Sequence, residues 1–218
     1  MHEEIEPERK RCPVEHVGGL TCSIRGVRTL PRNFLLPPAD LFDVFERRAS
    51  RREFNEIDEQ DISTLLWVTQ RHIGGEEDRV KRPLPTAGAL ASVRTFVIGA
   101  GGEAWLYVPT GHKAAVLDVE AAIGRAIRAE AQRFLSVGKA AVMIYAADRK
   151  LISSYYDYPE SLVLRESGIL LSGMSLASEA LGLAFCPLGT LGKAWLDMLL
   201  GDGEKVVIPG GAALVGGR

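Results

Sequence analysis

Residues Pro159 to Leu191, PESLVLRESGILLSGMSLASEALGLAFCPLGTL, decide the fold. Apolar side chains recur at helical spacing through Val163, Leu170, Met174, Ala177 and Leu181. Leu162, Ile169, Leu171 and Leu176 fill the other faces. A helix that is apolar nearly all round is buried rather than surface-lying. The stretch therefore predicts a helix in the middle of a large core, or of a core shared with a second subunit. Gly168, Ser172 and Gly173 let another backbone come close, and Gly182 marks the stop. Leu183 to Leu188 follows as a short buried strand, ending in a turn at Gly189 and Thr190. Ser, Gly and Glu interrupt the stretch too often for a membrane span.

Upstream of this helix, Ala140 to Ala146 is a continuous apolar run of the buried-strand kind. Val93 to Ile98 and Ala104 to Val108 are β-rich runs joined across Gly101-Gly102, which reads as a hairpin. Helices are expected over Ala39 to Arg48, with Leu41, Phe42, Val44 and Phe45 inward, and from Asp58 to about His72, with Ile62, Leu65, Leu66 and Thr69 inward. Val119 to Leu135 and Lys193 to Leu200 are further helices. Gly74 to Lys81 reads as a polar loop and Asp148 to Tyr158 as a tyrosine-rich connector. Val206 to Ile208 and Ala212 to Val215 are the last strands. Residues 1–38, rich in Pro, Gly and charge, form an arm, extended around Leu30 to Leu36, and 39–218 form the domain. Helices flanking a meandering sheet make the class α+β.

The 218 residues are 46% hydrophobic and carry a net charge of −2, so nucleic acid and anionic membrane are not expected as partners. The three cysteines, Cys12, Cys22 and Cys186, are odd in number and scattered, which points to a reducing compartment, and the charged N-terminus lacks a secretory core. A cytoplasmic globular protein is expected. No metal-ligand spacing and no Ser-His-Asp or Cys-His arrangement is present. His72 and His112 read as structural or exposed, and Trp67, Trp105 and Trp195 as core or interface anchors.

Chemistry is concentrated at Arg47 to Arg52. In an extended stretch Arg48, Ser50 and Arg52 fall on one face, and two guanidinium forks with a hydroxyl suit a phosphate. The competing reading is a solvated helix end. Pro83-Leu84-Pro85-Thr86-Ala87-Gly88-Ala89 combines fixed turns with small side chains, a backbone that can approach a flat ligand closely.

The run Arg48-Ala49-Ser50-Arg51-Arg52-Glu53-Phe54 resembles the N-terminal signature of the nitroreductase-like flavoproteins. Arg82 to Leu90 resembles a motif of their SagB-type branch, the azoline dehydrogenases of modified-peptide pathways. The helix with Glu166, Gly168 and Ala180 to Leu183, then Pro187-Leu188-Gly189 and the closing Val215-Gly216-Gly217-Arg218, is similar to the same branch. The resemblance spans about Phe42 to Arg218 and implies a nitroreductase-like fold, a mainly antiparallel sheet whose central helix sits at a dimer interface. It implies FMN as cofactor, with its phosphate on Arg48, Ser50, Arg52 and Arg218. Pro85, Thr86, Ala87 and Gly88 would face the flavin ring, and Gly189 and Thr190 its other edge. The implied activity is dehydrogenation of a heterocyclic or peptide-derived substrate in a biosynthetic pathway, by a homodimer or a heterodimer.

The branch carries a Lys-Tyr pair before the central helix, and here the matching positions are Ser154 and Tyr155. Tyr155 is then the candidate base, and a phenol serves so only when a nearby cation favours the phenolate; Arg149 and Lys150 are the candidates. The competing reading has Tyr155, Tyr156 and Tyr158 capping the core. Glu160-Ser161 also departs from the branch. An NAD(P)H-dependent nitro or quinone reductase, and a degenerate partner subunit of a biosynthetic complex, stand as alternatives.

Overall fold

The structure, a computed structural model, describes residues 6–11, 22–34, 36–76, 79–201 and 206–218. Cys12, His2 and His16 lie outside the described residues. In chain order the elements are β1 (Glu8–Arg9), β2 (Ile24–Thr29), α1 (Leu41–Arg47), α2 (Glu59–Gln70), β3 (Gly74–Glu76), β4 (Arg79–Lys81), β5 (Val93–Ile98), β6 (Ala104–Val108), β7 (Lys113–Leu117), α3 (Ala121–Ala131), β8 (Ala141–Asp148), α4 (Arg149–Tyr155), β9 (Tyr156–Asp157), α5 (Glu160–Leu181), β10 (Leu183–Leu188), α6 (Lys193–Leu200) and β11 (Val207–Gly217).

Seven strands form one antiparallel sheet in the order β10-β11-β8-β5-β6-β7-β2. Alternation along each strand assigns its side chains to two faces. Val97, Met143, Tyr145, Ala213 and Val215 meet Leu65 and Leu66 of α2 and Val163, Leu170 and Met174 of α5. Phe96, Val142, Ile144, Ala212 and Leu214 meet Ile127 of α3 and Trp195 and Leu196 of α6. Strand β8 is apolar at both parities because both of its faces are covered, and every one of its residues is buried.

Strands β5, β6 and β10 and helix α6 fall where the sequence puts them. Elsewhere the structure corrects the reading. Gly74–Glu76 and Arg79–Lys81 pair as antiparallel strands β3 and β4, where a polar loop was expected. The connector after Asp148 contains helix α4, capped by the Asp148 carboxylate accepting the Leu151 N–H at 3.1 Å. The two closing strands are one, bulged between Pro209 and Gly211. Strand β7 was not foreseen. Within the arm, the extended stretch is Ile24–Thr29, an edge strand paired with β7.

Helix α5 is the largest correction. It ends at Gly182, in the left-handed conformation, as expected. Its inner face, however, buries Glu166, Ser167, Ser175, Ser178 and Glu179 beside the apolar residues. On its outer side Leu164 and Ile169 are exposed within this chain. Helix α1 packs on α5, yet of the four side chains expected inward only Val44 is buried; Phe42 is 77% exposed. Apolar periodicity marks which residues want cover, not which element of the same chain supplies it.

Candidate functional site

Segment 48–56 leaves α1 in extended form and lies against the end of the sheet. Arg51 N–H donates to the Phe185 carbonyl at 3.1 Å, and Asn55 exchanges backbone hydrogen bonds with Gly217 at 2.9 and 3.2 Å. The approach is close enough that a Cβ on Gly216 would lie 2.8 Å from Phe54 Cβ, and one on Gly217 2.5 Å from the Glu56 carbonyl oxygen. Glycine is needed at both positions, and Arg218 is thereby delivered beside residues some 165 positions earlier in the chain.

Ala49, Ser50, Arg51, Arg52, Glu53, Asn55 and Arg218 line a cavity of about 520 Å³, so alternation along the segment does not set Ser50 and Arg52 apart from their neighbours. From there Arg51 turns inward to Glu179, with Nη2 3.0 Å and Nε 3.3 Å from Oε2. Arg218 also donates to Glu179 Oε2, and its Nε donates to the Leu183 carbonyl at 3.2 Å. Arg47 stands 4.0 Å from the same carboxylate. Glu179 is buried, its side chain 4% exposed, and a buried carboxylate requires such partners. Arg48 caps α1 through its backbone and its side chain is exposed; it does not line this cavity.

A phosphate-bearing ligand fits what is present. The cavity lies within the size range of small-ligand sites. Arg52 and Ser50 are exposed donors on its wall, and Arg218 is fixed at its rim by Glu179. Glu53 is the one carboxylate among its lining residues.

The Pro85–Gly88 loop sits over α5. Leu84 packs into the space at Gly173, where a Cβ would be 2.3 Å from Leu84 Cδ1. Glu166 Oε2 accepts the Ala87 N–H at 3.0 Å and Oε1 the Val93 N–H at 3.2 Å, tying the loop and the start of β5 to one carboxylate. Burial raises the Glu166 carboxyl above the ordinary carboxylate range, against the pull of the Ala87 and Val93 N–H groups and Arg82. Gly88 has φ of 57°, and a Cβ there would lie 2.7 Å from the Tyr156 hydroxyl. Pro85 and Gly88 are exposed, Thr86 and Ala87 half-buried.

Ser154 and Tyr155 end α4 and are half-buried; Ser154 Oγ donates to the Leu151 carbonyl at 2.7 Å. Arg149 is engaged by Glu160 at 3.4 Å. Strand β1 adds to this region: it pairs with β9, Arg9 opposite Tyr156. Lys10 Nζ then donates to the Ser153 carbonyl at 2.8 Å and lies 3.4 Å from Asp157. Gly189 is exposed, and Thr190 Oγ1 accepts the Gly192 N–H at 3.1 Å.

Sequence reasoning missed Arg51, Glu179 and Lys10. A signal existed for Glu179, since a carboxylate on the inner face of a buried helix demands a cation. None existed for Lys10, whose partner strand is only two residues long. Tyr107, His112 and Ser63 form a buried chain, with Nδ1 2.8 Å from the Tyr107 hydroxyl and Nε2 2.7 Å from Ser63 Oγ. His112 is therefore structural, while Trp105 and Trp195 are core residues.

No family model and no curated protein matches the sequence. Solved structures do match in three dimensions. The crystal structure of a proposed nitroreductase from Ralstonia eutropha JMP134 aligns over 98% of this chain and 99% of its own, with a TM-score of 0.68 at 17% identity. An E. coli microcin synthetase complex, McbBCD with truncated pro-MccB17 bound, aligns over 88% of this chain and 78% of its own, at 0.58 and 15%. A Bacteroides fragilis nitroreductase with bound FMN aligns over 83% and 89%, at 0.53 and 12%. The seven-stranded antiparallel sheet with α5 across it is thus the nitroreductase fold. Among the described residues no helix is long and apolar enough to cross a membrane.

Proposed function

We propose that this chain is an FMN-dependent oxidoreductase, acting as a dehydrogenase on a heterocyclic or peptide-derived substrate in a biosynthetic pathway. One observation carries the reading: Ser50, Arg52 and Arg218, from opposite ends of the chain, border one cavity. The FMN bound by structural neighbours and the microcin synthetase among them support it.

When bound, FMN supplies the redox chemistry by taking a hydride at N5. The chain's own groups do the rest. Arg52, Arg218 and Ser50 would hold the phosphate, and Arg48, whose side chain does not line the cavity, is left outside this cradle. The Pro85–Gly88 backbone, braced by Glu166, would offer a flat surface of small residues to the ring, and Gly189 and Thr190 would be the residues towards its other edge. Tyr155, on the segment braced by Lys10, would take the substrate proton as its phenolate, becoming the neutral phenol, and Ser154 would line the approach. A second copy of this chain completes the site. Leu41, Phe42 and Phe45 on α1 and Leu164 and Ile169 on α5 remain for it to cover.

The absorption spectrum of the purified protein tests the reading. A yellow protein with flavin absorbance is expected, and one that stays colourless with added FMN overturns it in favour of a degenerate partner subunit. Ser154, standing where a lysine accompanies the tyrosine in the dehydrogenase branch, favours a second reading, an NAD(P)H-dependent nitro or quinone reductase. Under anaerobic conditions NADPH bleaches the flavin of a reductase and leaves that of the dehydrogenase oxidised.

A further inference from the structure

Strand β1 lies beside the candidate base and is held there mostly by contacts that any extended chain can make. It is two residues long and pairs antiparallel with β9, Glu8 opposite Asp157 and Arg9 opposite Tyr156. The Lys10 N–H then donates to the Tyr155 carbonyl at 2.9 Å. Glu8 and Arg9 are exposed, so neither side chain anchors the strand in the core. Side-chain recognition comes from Lys10, whose Nζ donates to the Ser153 carbonyl at 2.8 Å and lies 3.4 Å from Asp157 Oδ1.

Such a pairing is weak. β1 and β9 form a sheet of their own, apart from the seven-stranded one, and an isolated two-stranded sheet is marginal in water. An ion pair open to solvent adds little. Strand β9, in contrast, is fixed by its surroundings. It joins α4 directly and leads into α5, and Tyr155 and Tyr156 pack against the core. The Tyr156 hydroxyl lies so near Gly88, in the loop proposed to face the flavin, that a Cβ there would come within 2.7 Å of it. A well-supported strand edge is thus covered by a strand that leaves easily.

We propose that the edge of β9 is a docking strand for an extended peptide segment of the substrate, and that residues 8–10 occupy it in cis as a built-in competitor. Main-chain pairing supplies the affinity, as in β-strand addition. The Ser153 carbonyl and the Asp157 carboxylate select a basic side chain on the visiting segment, at the position Lys10 now takes. The antiparallel register sets that residue opposite Tyr155. That the visitor belongs to the substrate rests on the peptide-derived substrate of the proposed activity; the competition of two segments for one edge does not.

The probe is the hexapeptide EPERKR, residues 6–11 of this chain, capped at both ends and added to the full-length protein. Hydrogen exchange should rise across residues 8–10 of the chain while Ser153 to Asp157 keep their protection. A tethered strand competes at a high effective concentration, so weakening it should help the visitor, and Lys10→Glu should bind a fluorescently labelled hexapeptide about tenfold more tightly than the wild type. Lys10→Pro, which also removes the N–H bonded to Tyr155, should do the same. The Lys10→Met form of the hexapeptide should bind about threefold more weakly, as expected for an exposed ion pair. No exchange response at millimolar peptide, or binding by both variants no tighter than that of the wild type, would overturn the proposal. If both variants instead fall to the monomer mass and bind no peptide, β1 belongs to exchange between two copies, which also overturns it. Binding is read without flavin, so a colourless protein that takes the peptide fails only the oxidoreductase reading, and a yellow one that ignores it fails only the docking strand.

Discussion

Glu179 Oε2 accepts hydrogen bonds from Arg51 and from Arg218, so one buried carboxylate ties segment 48–56 to the last residue of the chain. Arg218 thereby reaches the cavity with its guanidinium already oriented, and orientation fixed in advance lowers the cost of binding a ligand. Replacing Glu179 by Ala should destabilise the protein by about 1–3 kcal/mol, since donors lose an acceptor but water reaches them in part. Flavin affinity should fall roughly tenfold or more, because each charge-assisted hydrogen bond contributes about 1.5–3 kcal/mol. Chemical denaturation and fluorescence titration with FMN give the two numbers.

His72 sets an acid limit on stability. Burial first, then Arg82 and Arg94, hold its imidazole at about 4, down from 6.5. Between those values the unfolded chain binds more protons than the folded one, so stability falls as pH drops through that window. His72→Asn should flatten this part of the stability–pH curve while leaving neutral pH little changed. Urea unfolding in gluconate buffer from pH 7 to 4 checks it, and a wild-type slope that persists in the variant would contradict the assignment.

Lys10 and strand β1 brace the Ser153–Asp157 segment rather than a distant surface. Deleting residues 1–11 should raise amide hydrogen exchange across Ser153 to Asp157, with β8 unaffected. Lys10→Met should produce part of that change and Lys10→Arg little of it. Hydrogen-exchange mass spectrometry reads all three.

The apolar residues left on α1 and α5 predict a dimer. Sedimentation equilibrium of the wild-type protein should give twice the chain mass, and Phe42→Glu should shift it towards the monomer at micromolar concentration. An unchanged mass would locate the interface elsewhere.

The parts of this molecule legible in the sequence are those where burial is local and periodic. Strands β5, β6 and β10 are short apolar runs bounded by turn residues, and α5 closes at Gly182, so their limits follow from residue type. Helix α1 misleads because its apolar residues are arranged for cover that the other described residues of this chain do not give. Strand β7, with Lys113 and two alanines, has too little contrast to register. The candidate site was half visible. Alternation singles out Arg48, Ser50 and Arg52, whereas the cavity is lined by all of residues 49–53 and not by Arg48; Arg218 rests on resemblance alone. The inward turn of Arg51 depends on Glu179, 128 residues away, and no local pattern encodes that distance. Lys10 reaches Ser153 through a two-residue pairing that leaves no trace in composition.

Comparing the affinities of FMN and riboflavin tests the phosphate cradle most directly, because the two ligands differ only in the group that Ser50, Arg52 and Arg218 are proposed to hold. FMN should bind roughly 100-fold or more tightly, as expected for at least two charge-assisted hydrogen bonds, and Arg52→Ala with Arg218→Ala should bring it close to riboflavin. Equal affinities in the wild-type protein, or a preference for FMN that survives loss of both arginines, would contradict the account.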